Sequence, residues 1–278
     1  MTVKIIADSC CDLNDEIKRN TNISIVPLTI EIEGKVYKDD ETLNINDFLD
    51  VMRKSKECPK TSCPSPVDFM KQYNGDESVF VVTLSSALSG TYKSAVMAKD
   101  MFKEEIKEKF IHVFDSLSAS VGETLVSLKI DELSKKGISE LEIVDKVEEY
   151  IKEMKTFFML NTLENLVKAG RISPIIAKVT SLISLKPIMA GTEEGTIKIQ
   201  EKVIGAQKAF RRFIEIIGEQ GVNLENKVLG IAHCNCLDKA IEFKNEVLKR
   251  YKFKDIIIVP TAGISTVYAN EGGIIIAF

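Results

Sequence analysis

Val79-Phe80-Val81-Val82-Thr83-Leu84-Ser85-Ser86-Ala87-Leu88-Ser89-Gly90-Thr91-Tyr92 is the stretch from which the fold can be read. Val79–Leu84 is a near-continuous apolar run of strand length. It passes into a loop crowded with hydroxyls, and a helical pattern then covers Tyr92–Phe110. The same order of strand, polar loop and helix occurs at Val3–Ala7, where Asp8-Ser9-Cys10-Cys11-Asp12 precedes a helix from Leu13. It occurs again at Ile111–Phe114, where Asp115-Ser116-Leu117-Ser118 precedes a helix over Ala119–Lys136. Buried apolar strands alternating with helices predict a parallel sheet with helices on both faces. Ligands of such sheets bind outside the carboxyl ends of the strands. Asp8-Ser9, Thr61-Ser62 and Ser85–Thr91 are therefore expected at one edge.

Between these units, Ile23–Ile32 reads as one strand, and Glu33-Gly34 before Lys35-Val36-Tyr37 as a small hairpin. Asn46–Lys54 is amphipathic, with Asn44 or Asn46 as its cap. Cys58–Pro66 is rich in turn formers and reads as a loop, with Pro66 opening a helix through Val67–Tyr73. Glu140–Met154 is a helix with a solvated acid and lysine face. Beyond it the pattern changes. Lys155–Leu160 is a strand, Leu163–Ala169 a short helix, and Ile175–Ile183 an apolar segment of helical length. Leu185–Ala190 and Thr196–Val203 flank Gly191…Gly195 as an antiparallel hairpin. Helix Ala206–Gln220, strand Val228–His233, helix Leu237–Tyr251, strand Asp255–Val259 and strand Ile274–Phe278 follow. The fold class is α/β in two domains, a parallel-sheet α/β domain over 1–150 and an α+β domain with antiparallel pairs over 151–278.

The chain of 278 residues carries 37 Lys+Arg against 41 Asp+Glu, a net charge of −4, with 45% hydrophobic residues. That balance argues against a dedicated nucleic-acid binder, which shows a basic excess. No apolar run approaches the ~20 residues of a membrane span, so stable membrane insertion is not expected. The N-terminal apolar stretch is too short for a signal peptide, and a cytoplasmic location is expected. The six cysteines, Cys10, Cys11, Cys58, Cys63, Cys234 and Cys236, show no paired zinc-knuckle spacing, so neither a metal nor a disulfide framework is expected.

Phosphate-loop and dinucleotide fingerprints are absent, and no cofactor is expected. A serine nucleophile would need an oriented base. The two histidines are poorly placed: His112 opens a buried strand at the end away from the ligand edge, and His233 ends a strand of the other domain. The hydroxyls Thr61, Ser62, Ser85, Ser86, Ser89 and Thr91 are more informative. Hydroxyls and free N–H groups at helix starts suit an anion such as a carboxylate or phosphate, although Ser89 alone could simply cap its helix.

Five motifs taken together resemble the DegV family of bacterial fatty-acid-binding proteins. They are Thr61-Ser62-Cys63-Pro64-Ser65, Leu84–Tyr92, Asp115–Gly122, Gly170-Arg171-Ile172-Ser173 and Leu185-Lys186-Pro187-Ile188. The Asp8-Ser9 opening and Leu13 match as well, and the resemblance covers essentially the whole chain. It implies a long-chain, palmitate-like fatty acid held between two domains. It also implies a non-enzymatic role, in which the carboxylate is presented to a separate fatty-acid kinase for phospholipid synthesis. Carried onto this sequence, Thr61 and Ser89 are the implied carboxylate ligands. Ser62, Gly90 and Thr91 are neighbouring donors, and Arg171 is the cationic contributor. The loops of 1–150 would hold the head group. Residues of 151–278 would form the acyl pocket, with Phe157, Phe158, Ile172, Ile175, Ile176, Val179, Leu182, Ile183 and Met189 as its expected wall.

In one place the sequence departs from the family pattern. Many members carry a Gly-Thr-His run near the C-terminus whose His approaches the carboxylate. Here the stretch is Ser265-Thr266-Val267-Tyr268-Ala269, with Tyr268 at the His position. A phenol donates a hydrogen bond but adds no positive charge at neutral pH. The chemistry agrees with the resemblance, since a buried carboxylate needs several donors. At ~0.8 kcal/mol per methylene, an acyl tail contributes on the order of 10 kcal/mol before association costs. The alternatives are a serine-dependent enzyme or a phosphotransfer protein acting on a small acyl or phosphorylated substrate, through Ser89 or Ser86.

Overall fold

The computed structural model describes residues 2–105, 109–173 and 185–278. Its first sheet has the order β2-β1-β6-β7 and is parallel throughout. The strands are β1 (Val3–Asp8), β2 (Ile23–Val26), β6 (Ser78–Thr83) and β7 (Ile111–Asp115). Both faces of this sheet are covered, because alternate side chains point to opposite sides. Ile6, Val79 and Val81 pack with Phe69 and Tyr73 near α3 (Pro66–Met70) and with Ala95, Ala98 and Phe102 of α4 (Thr91–Glu105). Ile5, Phe80 and Val82 pack on the other side against α5 (Val121–Ser134) and α6 (Glu140–Glu153).

Ile23–Ile32 is two strands rather than one. β2 ends at Val26, and β3 (Thr29–Ile32) leaves for a separate antiparallel sheet of order β4-β3-β5. Its partners are β4 (Lys35–Lys38) and β5 (Lys60–Ser62), the latter lying inside the stretch read as a loop. β5 is only three residues long and flanked by turn formers, so its pairing is imposed by β3 rather than by its own pattern. Two short helices in this part are α1 (Asp15–Asn20) and α2 (Ile45–Lys54). Asn44 is the cap of α2, accepting from the N–H groups of Asn46 and Asp47.

The second sheet has the order β10-β9-β8-β13-β11-β12. Its strands are β8 (Thr156–Met159), β9 (Leu185–Gly191), β10 (Ile197–Ile204), β11 (Val228–His233), β12 (Asp255–Pro260) and β13 (Ile274–Ala277). All its pairs are antiparallel except β11 with β12. One face is packed by α8 (Ala206–Gln220) and α9 (Leu237–Leu248), through Phe213, Ile217, Phe243 and Val247. α5 lies between the two sheets: Val121 and Leu125 meet Ala7 and Leu13 on one side and Ala232, Val259 and Ala277 on the other. Gly230 on β11 permits this approach, since a Cβ there would collide with Val121. The remaining helices are α7 (Glu164–Lys168) and α10 (Gly263–Ala269). α10 was not anticipated; it has no local side-chain cap and only two turns. Ile175–Ile183 lies outside the described residues. Among the described residues no helix is long and apolar enough to cross a membrane.

Candidate functional site

The hydroxyl-rich loops at the carboxyl ends of the first sheet face the part of the second sheet that α5 leaves open, and a cavity of roughly 870 Å³, counting its open mouth, lies between them. Thr61 of β5, Leu84, Leu88 and Ser89 after β6, and Leu117, Ser118, Ala119 and Ser120 after β7 form one wall. Phe158 and Leu160, the hairpin residues Gly191, Gly195, Thr196 and Ile197, and Ile264, Ser265, Tyr268 and Ala269 on α10 form much of the rest. Leu166 and Arg171 complete it. The lining is overwhelmingly apolar because most of its hydroxyls bond to one another or to backbone.

Four of the residues expected at the head group meet at this wall. Thr61 Oγ1 and Tyr268 Oη are 2.7 Å apart, and the Arg171 guanidinium sits 5.8 Å from the Tyr268 ring centre. Arg171 is oriented by the chain itself, with Nε donating to Leu88 O at 3.1 Å and Nη1 to Ala169 O at 2.7 Å. Ser89 Oγ is 2.8 Å from Thr91 Oγ1 and accepts from the Thr91 N–H. Thr91 is buried behind Ser89, while Ser62 and Gly90 are exposed and outside the cavity lining. Ser62 follows Thr61 on an extended strand, so its side chain leaves on the opposite face.

The expected acyl wall is only partly seen. Phe158 lines the cavity, and Ile172 and Met189 pack behind it with Leu163 and Cys234. Phe157 does not line it: one residue earlier on β8, it points to the other face, into the core with Phe213 and Phe278. Ile175, Ile176, Val179, Leu182 and Ile183 lie outside the described residues. Several wall residues were missed. Ser118, bonded to Thr156 at 2.7 Å, belongs to a quoted motif but had no assigned role. Ser265 and Ile264 sit on the unanticipated α10. Gly195 does more than turn the hairpin. It holds φ +74°, accepts from Ser85 Oγ at 2.8 Å, and leaves no room for a side chain against Ser85 and Leu117.

Beneath the wall lies a group of buried acids. Asp8 accepts from the N–H groups of Cys10 at 2.9 Å and Leu84 at 2.8 Å. Burial outweighs these bonds and raises Asp8 to about 7. Asp12 is raised to about 7 and Asp39 to about 6, again by burial. Glu123 is fully buried with neither oxygen partnered, and burial holds its carboxyl well above the ordinary range, favouring the neutral form. Asp8, Cys10 and Glu123 lie close enough to share a cation. However, both Asp8 oxygens are bonded to backbone N–H groups, and Cys10 Sγ accepts from Ser120 N–H at 3.4 Å. Ser120 and Leu117 hold positive φ, 59° and 50°, so the β7–α5 turn stores backbone strain at the cavity wall.

The match to the DegV family of uncharacterised proteins runs over residues 2–278. The chain belongs to the DegV family. A DegV domain-containing protein from Streptococcus pneumoniae is 33% identical over 280 residues, spanning 100% of this chain and 99% of the relative. A DegV family protein from Ruminococcus gnavus, refined with vaccenic acid, superposes with TM-score 0.94 at 43% identity over 100% of both chains. The Streptococcus pneumoniae Fatty Acid Kinase (Fak) B3 protein, loaded with linoleic acid, superposes with TM-score 0.92 at 33% identity, covering 100% of this chain and 99% of that one.

Proposed function

We propose that this DegV protein binds a long-chain fatty acid in the cavity between its two sheets and presents the carboxylate to a separate fatty-acid kinase. The carrying observation is one apolar cavity whose lining holds the bonded Thr61–Tyr268 pair, Ser89 and Arg171 together with Phe158, Leu160, Ile197 and Ala269. A carboxylate entering at the hydroxyls exchanges weak hydroxyl–hydroxyl bonds for charge-assisted ones. The tail supplies most of the affinity through burial. In this reading residues 1–150 bring most of the head-group loops and 151–278 the acyl pocket, with Tyr268 and Arg171 reaching across.

The role is that of a carrier. Among the described residues no histidine lines the cavity. His112 Nε2 lies 3.8 Å from Glu148, and His233 Nδ1 accepts from the Cys236 N–H. Ser89 thus has hydroxyl and amide neighbours and, among the described residues lining the cavity, no histidine to take its proton. The vaccenic and linoleic acids held by similar proteins support the ligand class, and the Fak B3 relative supports a kinase partner. Organic extraction of never-delipidated protein, followed by mass spectrometry, is expected to recover a long-chain fatty acid at close to one per chain. Protein that is empty and also fails to take up added palmitate would defeat the proposal.

A further inference from the structure

α10 carries Ser265, Tyr268 and Ala269 to the cavity wall, yet nothing local caps its start. Its N-cap residue, Ala262, has no side chain able to accept a bond. The open N–H groups are instead met by two aspartates from the far end of the sequence. Ala262 N–H donates to Asp12 Oδ1 at 2.7 Å, Gly263 N–H to Asp39 Oδ1 at 2.6 Å and Ile264 N–H to Asp39 Oδ2 at 2.8 Å. Asp12 follows β1 and Asp39 follows β4, and both side chains are buried. The fit is close, since a Cβ on Gly263 would lie 2.6 Å from Asp39 Oδ1. The second oxygen of Asp12 accepts from Ser120 Oγ at 2.5 Å, and Ser120 also borders the cavity.

We propose that Asp39 and Asp12 are positioning residues for the head-group end of the cavity. By capping α10 they set where Tyr268 stands against Thr61 and Arg171. This inference rests on the fatty-acid reading and adds to it the groups that hold the site in register. The helix has only seven residues, so fraying of its first turn moves Tyr268 directly. The apolar lining residues Phe158 and Leu160 belong to and follow β8, whose place is secured by its sheet partners β13 and β9. Loss of the aspartate clamp should therefore act more on recognition of the carboxylate than on the tail, which meets α10 only through Ile264 and Ala269 among its described apolar lining.

The test compares palmitate with its methyl ester, which has the same tail without the negative charge. Binding of both is measured by displacement of a fluorescent fatty acid from the wild-type protein, Asp39→Asn and Asp12→Asn. Asparagine keeps the shape but places an NH2 donor where one of the two oxygens accepts. Asp39→Asn is expected to weaken palmitate binding about tenfold, the effect of roughly one charge-assisted bond, and methyl ester binding by less than about twofold. Asp12→Asn should act in the same direction and less strongly, and it carries the comparison if Asp39→Asn does not fold. Equal losses for both ligands would mark the aspartates as merely structural and overturn the inference, as would unchanged palmitate binding. Wild-type protein that binds neither ligand would overturn the fatty-acid reading, and this inference with it.

Discussion

On β8, Phe157 and Phe158 are adjacent in sequence and live in different environments. Phe157 stacks 6.0 Å from Phe278 inside the core beneath α8 and α9. Phe158 borders the cavity. The same alternation runs along the six-stranded sheet: one face is filled by helices that bury Ile188, Ile231 and Ile276, and the other is left partly hollow against the loops of the first sheet. Filling a face stabilises the fold, at ~25 cal/mol per Å² of apolar surface buried. A hollow face forgoes that stabilisation until a ligand supplies the missing contacts. The contrast teaches that the candidate site is a core left unfinished on one side.

The largest effect that could break this contrast comes from truncating each phenylalanine. Phe157→Ala is expected to lower stability by about 3–5 kcal/mol in denaturant unfolding while leaving fatty-acid chain preference unchanged. Phe158→Ala should cost clearly less stability and shift preference toward longer chains as the cavity grows. Equal stability losses with no change in preference would remove the distinction between the faces.

A second effect concerns pH. Asp8 and Asp12, raised to about 7, bind protons in the folded state that the unfolded chain has already released. Stability should therefore fall as pH rises between about pH 4 and pH 7, by up to about 1.4 kcal/mol per pH unit for each of the two acids. Glu132, held down to about 2 by Lys136 and Lys129, acts in the opposite direction at pH values below that window. Glu123→Gln removes one of the buried ionisable groups and should flatten the slope. Stability that instead stays flat across the window would show that these acids are ionised at little cost.

The smallest effect is confined to affinity. Thr61→Ala combined with Ser89→Ala is expected to weaken palmitate binding about 30-fold, near 2 kcal/mol, because the hydroxyls already bond to Tyr268 and Thr91 and only the gain on exchange is lost. Unfolding of the double variant should match the wild type. Unchanged affinity would reject these hydroxyls as the head-group donors.

Much of this was legible before any coordinates. The three units of strand, polar loop and helix needed only a period of two, a period of 3.6 and turn chemistry, and the parallel sheet follows from them. Type and position pick out six hydroxyls, Thr61, Ser62, Ser85, Ser86, Ser89 and Thr91, and only the family resemblance singles out Thr61 and Ser89 among them. Phe157 was misplaced although alternation on β8 could have separated it from Phe158. No local pattern marks β5, which is a strand because β3 offers it a partner, or α10, which is a helix because Asp12 and Asp39 reach its first turn.

The sequence by itself determined the three strand–loop–helix units of the first sheet, the antiparallel hairpin of β9 and β10, and the residue types able to meet a carboxylate, because those depend on neighbours a few positions apart. Only the tertiary structure decided that Tyr268 meets Thr61 and that Asp39 holds Gly263 and Ile264. It also decided that the second sheet turns a hollow face to the first. Those outcomes depend on groups more than 200 positions apart along the chain, brought together by the burial of α5 between two sheets.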